Sequence, residues 1–172
     1  MKTPKPFSDN LKNNIITEDM LGACIYSVNK RAKNYRNNVR ILYSELDSVR
    51  SLYGSTGADY QFKHISAAKA YEKQYYGYKE RLLALVDPVS IHTEGSNTSS
   101  NLRYYLYYRV GDYSFHRPLE VCDLNQYPDL PQEDIGKLTT SGQEIDDLIS
   151  VQFVQKVLRL IETNQYTYQH SC

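Results

Sequence analysis

The chain has 172 residues, enough for one domain to bury a core without disulfide or metal staples. It holds 20 basic and 20 acidic side chains, 17 tyrosines, no tryptophan and three separated cysteines, Cys24, Cys122 and Cys172. Balanced charge argues against a globally basic nucleic-acid binder, an odd cysteine count without CxxC argues against a disulfide framework, and no apolar run reaches the ~18 residues of a membrane span.

Charge is unevenly placed. Residues 1–81 carry a net +6 and residues 118–155 a net −7. The two stretches either attract each other or form separate solvated faces.

Residues 1–15 hold two prolines and little periodicity, so they read as a flexible arm. Thr17, Glu18 and Asp19 have the composition of a helix start. Leu21, Ile25, Val28, Ala32, Tyr35, Val39, Leu42, Leu46, Val49 and Tyr53 then alternate in steps of four and three. This heptad seam predicts a helix over 18–53, roughly 54 Å long. Such a seam needs a partner. Gly54-Ser55-Thr56-Gly57 permits a reversal, and a second helical pattern follows through Ile65, Ala68, Tyr71, Tyr75, Tyr78, Leu82 and Leu85 to Asp87-Pro88. The reading is an antiparallel helical hairpin over 16–87, with a homodimer as the other way to cover the seam. Cys24 falls on the apolar face and reads as core.

After Pro88 the period becomes two. Val89 to Ile91 reads as a short strand and Thr93 to Asn101 as a polar loop. Leu102–Val110 and Tyr113–Leu119 form a tyrosine-rich hairpin around Gly111-Asp112, a type II′ signal. Residues 120–134 are acidic and contain prolines, which suggests a loop with room for a helical turn, and Ile135 to Leu138 suggests another strand. Thr140-Ser141-Gly142 opens a broadly apolar helix through Ile145, Leu148, Ile149, Phe153, Val154, Val157, Leu158 and Ile161. Residues 164–172 read as a flexible tail. The fold class is α+β: a long helical hairpin, a small antiparallel sheet and a C-terminal buried helix, within a single domain over 16–163.

Three features carry functional signals. The run from Asn29 to Arg40 holds Lys30, Arg31, Lys33, Arg36 and Arg40 without an acid, a face suited to phosphates or an acidic protein surface. Arg103, Tyr105, Tyr107 and Arg109 share one strand face, where rings and guanidinium groups stack bases. His116, with Ser114 two residues away and His92 on the preceding strand, suggests acid–base chemistry, although neither an orienting carboxylate nor a zinc spacing is apparent. A packed strand, a solvated helix face and a structural histidine are the plainer readings of the same residues. No phosphate-binding loop, dinucleotide glycine pattern, HExxH or GxSxG occurs, so no catalytic set, metal or cofactor is assigned.

Segments 17–36 (TEDMLGACIYSVNKRAKNYR), 104–120 (YYLYYRVGDYSFHRPLE) and 137–162 (KLTTSGQEIDDLISVQFVQKVLRLIE) together resemble a family of small uncharacterised proteins encoded by bacterial phages and other mobile elements. The resemblance covers most of residues 15–168. It implies a protein acting in the cytoplasm of a bacterial host, away from membranes. It also implies a non-enzymatic inhibitor of a host defence factor, such as a CRISPR nuclease or a nucleoprotein complex. Such an inhibitor would occlude a binding surface through the basic helix face and the tyrosine-rich strand. The alternatives are a nucleic-acid-binding accessory protein using the basic face, and an enzyme centred on His116.

Overall fold

The heptad pattern from residue 18 yields two consecutive helices, α2 (Glu18–Ser44) and α3 (Leu46–Leu83), in the computed structural model, which describes residues 5–95, 102–136 and 148–170. The Thr17 hydroxyl accepts the Met20 N–H at 3.2 Å and so caps α2. Glu45, between the helices, does not break the ladder. Its N–H reaches the Ile41 carbonyl at 3.1 Å, and its carbonyl accepts from Val49 at 3.0 Å. The reversal comes at Gly54, with φ 70° and ψ −160°. That backbone state is open to glycine almost alone. Gly57 then packs against the first leg, where a Cβ would lie 2.5 Å from that of Tyr53.

Beyond this turn the second leg runs antiparallel to the first. Gln61 Nε2 donates to the Leu42 carbonyl at 3.0 Å, Lys69 Nζ to the Tyr43 hydroxyl at 2.8 Å, and Lys79 Nζ to Asn29 Oδ1 at 3.0 Å. The Tyr35 ring stacks on Tyr71 and Tyr75 with centroids 5.0 and 5.8 Å away. Val39, Ile65 and Ala68 form a small core there, with Tyr35 and Leu42 against it. The seam pairs within one chain. It closes unevenly: Leu21, Ile25, Val28 and Ala32 are buried, Leu42, Leu46 and Val49 are half-buried, and Tyr53 is exposed.

The second leg's buried line differs from the apolar one expected. Ala58, Gln61, Ile65, Ala68, Tyr75, Lys79 and Leu82 are buried, whereas Tyr71 is exposed and Tyr78 half-exposed. A true heptad line thus runs through polar Gln61 and Lys79. Long polar stems bury their methylenes and still reach a partner, here Leu42 and Asn29.

The chain divides into two compact units: Ile25–Arg81, and Met1–Cys24 together with Leu82–Cys172. The second unit contains a mixed four-stranded sheet of order β4-β3-β2-β5. Its strands are β2 (Ser90–Glu94), β3 (Arg103–Val110), β4 (Tyr113–Pro118) and β5 (Gln132–Gly136). β2, β3 and β4 are antiparallel, as expected, and β5 adds a parallel edge to β2. Gly111 has φ +60° and Asp112 has no positive φ, the type II′ pattern that joins β3 to β4. The Glu18 carboxylate accepts the Gly111 N–H at 2.8 Å. Gly22 lies against the same turn, where a Cβ would meet the Tyr113 ring at 2.7 Å.

The segments expected to be loose contain structure. Residues 5–12 form α1, Ile15–Thr17 form β1, and Thr167–Gln169 form β6, which pairs parallel with β1. Two asparagines make this geometry: Asn14 at φ 58° turns α1 into β1, and Asn164 at φ 54° turns the last helix into β6. The Thr167 N–H closes on the Asn14 carbonyl at 2.9 Å. Within 120–134, Val121–Gln126 form α4.

The last helix, α5, spans Val151–Thr163, with Ser150 Oγ accepting the Phe153 N–H at 3.2 Å. That cap starts the helix later than Thr140-Ser141-Gly142 suggests; those three residues and Ile145 lie outside the described set. α5 buries Phe153, Val154, Val157 and Leu158 and exposes Gln152, Gln155, Lys156 and Arg159. The unit's other buried apolar residues include Met20, Leu21, Ile91, Leu106, Tyr108, Val110 and Phe115. No helix among the described residues is long and apolar enough to cross a membrane.

Candidate functional site

Strand alternation sends Leu106, Tyr108 and Val110 of β3 into the core and Arg103, Tyr105, Tyr107 and Arg109 to the other face. Both tyrosines are half-buried and both arginines exposed. The register places His92 of β2 opposite Tyr105, and His116 of β4 opposite Tyr107. All four therefore share the outer face. β2 and β4 are not neighbours, so the two imidazoles reach each other over β3. His92 Nδ1 and His116 Nε2 lie 2.8 Å apart.

A carboxylate completes the row. The parallel pairing of β5 with β2 sets Glu133 beside His92, its Oε2 3.3 Å from His92 Nε2. That contact is within ion-pair reach but off the line of a formal hydrogen bond. The Glu133 side chain is 63% exposed and that of His92 only 9%. The Tyr107 ring covers His92 in a near-parallel stack, 4.3 Å between centroids and 14° between planes. Tyr105 meets His116 edge-on at 6.2 Å. Ser114, on the same face, is buried.

The row Glu133–His92–His116 is linear. Glu133 stands at the nitrogen of His92 opposite the one that meets His116, so the three groups do not converge on a point. Among the described residues no group of three His, Cys, Asp or Glu side chains is placed to hold a metal ion. A carboxylate at Nε2 favours a proton there and leaves Nδ1 to accept from His116. The arrangement suits moving a proton along a line.

Compared with known proteins, the chain matches no family model, no curated protein and no solved structure.

The basic run on α2 divides. Lys30, Lys33, Arg36 and Arg40 are exposed, and Arg31 is half-buried beside Tyr35 and Tyr75. Partial desolvation and then the Arg36 charge hold the Lys33 ammonium below its usual range. Crowding of like charges marks this face as one that a bound anion would relieve. The hairpin carries a second exposed feature. Around the Gly54 turn Leu52, Tyr53 and Tyr60 are 75%, 71% and 65% exposed, with Phe62 also exposed.

The ion pair between Arg117 and Asp123 is structural. Arg117 Nη2 contacts Asp123 Oδ1 at 2.9 Å and the Tyr108 hydroxyl at 3.3 Å, tying α4 to β4. Burial pushes the Asp123 carboxyl up, but hydrogen bonds from Arg117 and the Glu120 N–H, with the guanidinium charge, leave it below the usual range.

Sequence reasoning found both histidines and the Arg–Tyr strand face but missed Glu133. The local signal was the acidic stretch Gln132-Glu133-Asp134, which reads as a loop just before the strand expected from Ile135; the strand in fact spans Gln132–Gly136.

Proposed function

We propose that this is a binding protein that works through its helical hairpin and docks on a partner protein. The supporting observation is the apolar tip, where Leu52, Tyr53 and Tyr60 stand largely in solvent around the turn. Large apolar side chains clustered on a soluble surface mark contact sites, and aromatic ones carry most interface energy. The exposed Lys33, Arg36 and Arg40 on α2 suit a partner with an acidic surface. Inhibition of a host defence factor in a bacterial cytoplasm, as the resemblance to mobile-element proteins implies, is the specific form of this reading. The test is capture of partners from lysate of the natural host, with nuclease treatment, comparing the native chain with a Leu52→Asp/Tyr53→Asp variant. One host protein retained by the native chain and lost by the variant supports the reading. Equal capture by both removes it.

A second reading is nucleic-acid binding through the same α2 cations, favoured because no ion pair joins Arg36 or Arg40 to a described acid. It predicts affinity falling log-linearly with salt, with a slope of about −0.7 to −0.9 per neutralised phosphate. Binding that is absent at low salt removes it.

A further inference from the structure

We infer that the outer face of the sheet is a proton-transfer site that cleaves single-stranded RNA, by attack of a ribose 2′-hydroxyl on the adjoining phosphodiester. This goes beyond the hairpin reading and rests on different residues.

The proton machinery is the row Glu133–His92–His116. His116, half-exposed, is the end that meets a ligand on the face. A proton taken up by His116 raises positive charge that spreads through the 2.8 Å contact to His92, beside the Glu133 carboxylate. The low exposure of His92 and the Tyr107 stack fix that ring in place, which a relay needs. A buried histidine with a carboxylate on one nitrogen and a second imidazole on the other has more organisation than strand packing requires.

The surroundings choose the substrate. Arg103, Tyr105, Tyr107 and Arg109 follow one another on β3 at roughly 6.8 Å intervals, cation, ring, ring, cation. Guanidinium groups bind phosphates, and half-exposed rings stack unpaired bases. Ser114 on this face is buried, and the phenolic hydroxyls of Tyr105 and Tyr107 belong to the rings that stack. The attacking oxygen in this scheme arrives with the substrate, and RNA carries one beside every phosphate.

The step balances without a co-reactant. His116 takes the 2′-hydroxyl proton as the 2′-oxygen bonds to phosphorus. The P–O5′ bond breaks, and the departing 5′-oxygen takes a proton back from His116. The products are a 2′,3′-cyclic phosphate and a 5′-hydroxyl. Arg109, two residues from Tyr107 opposite His116, stabilises the extra negative charge on phosphorus in the transition state, while Arg103, farther along the strand, holds a neighbouring phosphate. In this scheme His116 is catalytic, and His92 and Glu133 are positioning residues.

The experiment uses the full chain with a fluorophore-labelled single-stranded RNA oligonucleotide, alongside DNA and 2′-O-methyl RNA of the same sequence, between pH 5 and 9. The expected result is RNA fragments ending in cyclic phosphate, with the other two strands intact. His116→Ala and His92→Phe, the latter keeping a ring against Tyr107, lose at least about 100-fold in rate. Glu133→Gln displaces the pH–rate profile while leaving RNA affinity unchanged, which a merely structural role would not do. Should His116→Ala unfold, His116→Gln replaces it, and the 2′-O-methyl strand tests the chemistry without any variant. Intact RNA at every pH, cleavage of DNA, or full activity in His116→Ala overturns the inference. Loss of partner capture by the hairpin-tip variant with RNA cleavage unchanged separates this site from the hairpin reading.

Discussion

His92 Nδ1 and His116 Nε2 face each other at 2.8 Å across the width of a strand that belongs to neither. Only one proton fits between them, since two would set N–H against N–H. That proton is shielded by the Tyr107 ring above His92. It is expected as a slowly exchanging, low-field resonance in the proton NMR spectrum. His116→Ala and His92→Phe each remove it, and its persistence in either would place the two rings apart.

Asp123 and Arg117 give a pH-dependent stability. Asp123 is only 4% exposed, and Arg117 is its counter-charge. The folded carboxyl titrates below its unfolded range of about 3.9, so its contribution is complete above that pH and is lost as pH falls through the folded value. Asp123→Asn leaves the guanidinium without its carboxylate and costs about 3 kcal/mol at neutral pH. In urea titrations the gap between native chain and variant narrows as pH falls below the ordinary carboxylate range.

The hairpin turn separates two kinds of glycine. Gly54→Ala meets no atom within 4 Å but forces a side chain to φ 70°, at a cost of about 1–3 kcal/mol. D-alanine at 54, introduced by chemical synthesis, favours that backbone state and restores the stability. Gly57→Ala is destabilising for another reason, a Cβ contact of 2.5 Å with Tyr53. Thermal unfolding of the three variants orders them, and a stable Gly54→Ala would move the reversal elsewhere.

The cysteines differ in reactivity. Cys24 is fully buried and its thiol is pushed up to about 12 by that burial, whereas Cys122 is exposed. In a Cys172→Ser background, a thiol reagent at pH 8 labels Cys122 alone. Cys24 reacts only in denaturant. Rapid labelling of Cys24 in the folded chain would contradict the packing of α2.

The hairpin was legible in the sequence because local periodicity and a glycine-bearing break specify it. Leu21 to Tyr53 keep one spacing, and Gly54 supplies the one backbone state that ends it. The β3–β4 turn was legible for the same reason at Gly111. What escaped depends on partners distant in sequence. Gln61 and Lys79 sit on the buried line only because Leu42 and Asn29 are there to bond them. Three-residue strands such as β1 and β6 show no alternation to read. The site was half visible: His92 and His116 lie on strands with clear periodicity. Glu133 reaches them only through the parallel pairing of β5 with β2, a register that no local pattern encodes.

The pairing of β1 with β6 has a consequence for synthesis. Ile15 and Thr167 are paired although 152 positions separate them. A ribosome delivers the N-terminal half of that ladder long before its mate. The hairpin between them is built from neighbouring stretches and can assemble as soon as Leu83 emerges, since local contacts form fastest. The β1–β6 ladder must wait for nearly the whole chain. A nascent protein stalled before Thr167 would expose β1 as an unpaired edge, open to chaperones and proteases until translation passes the last strand.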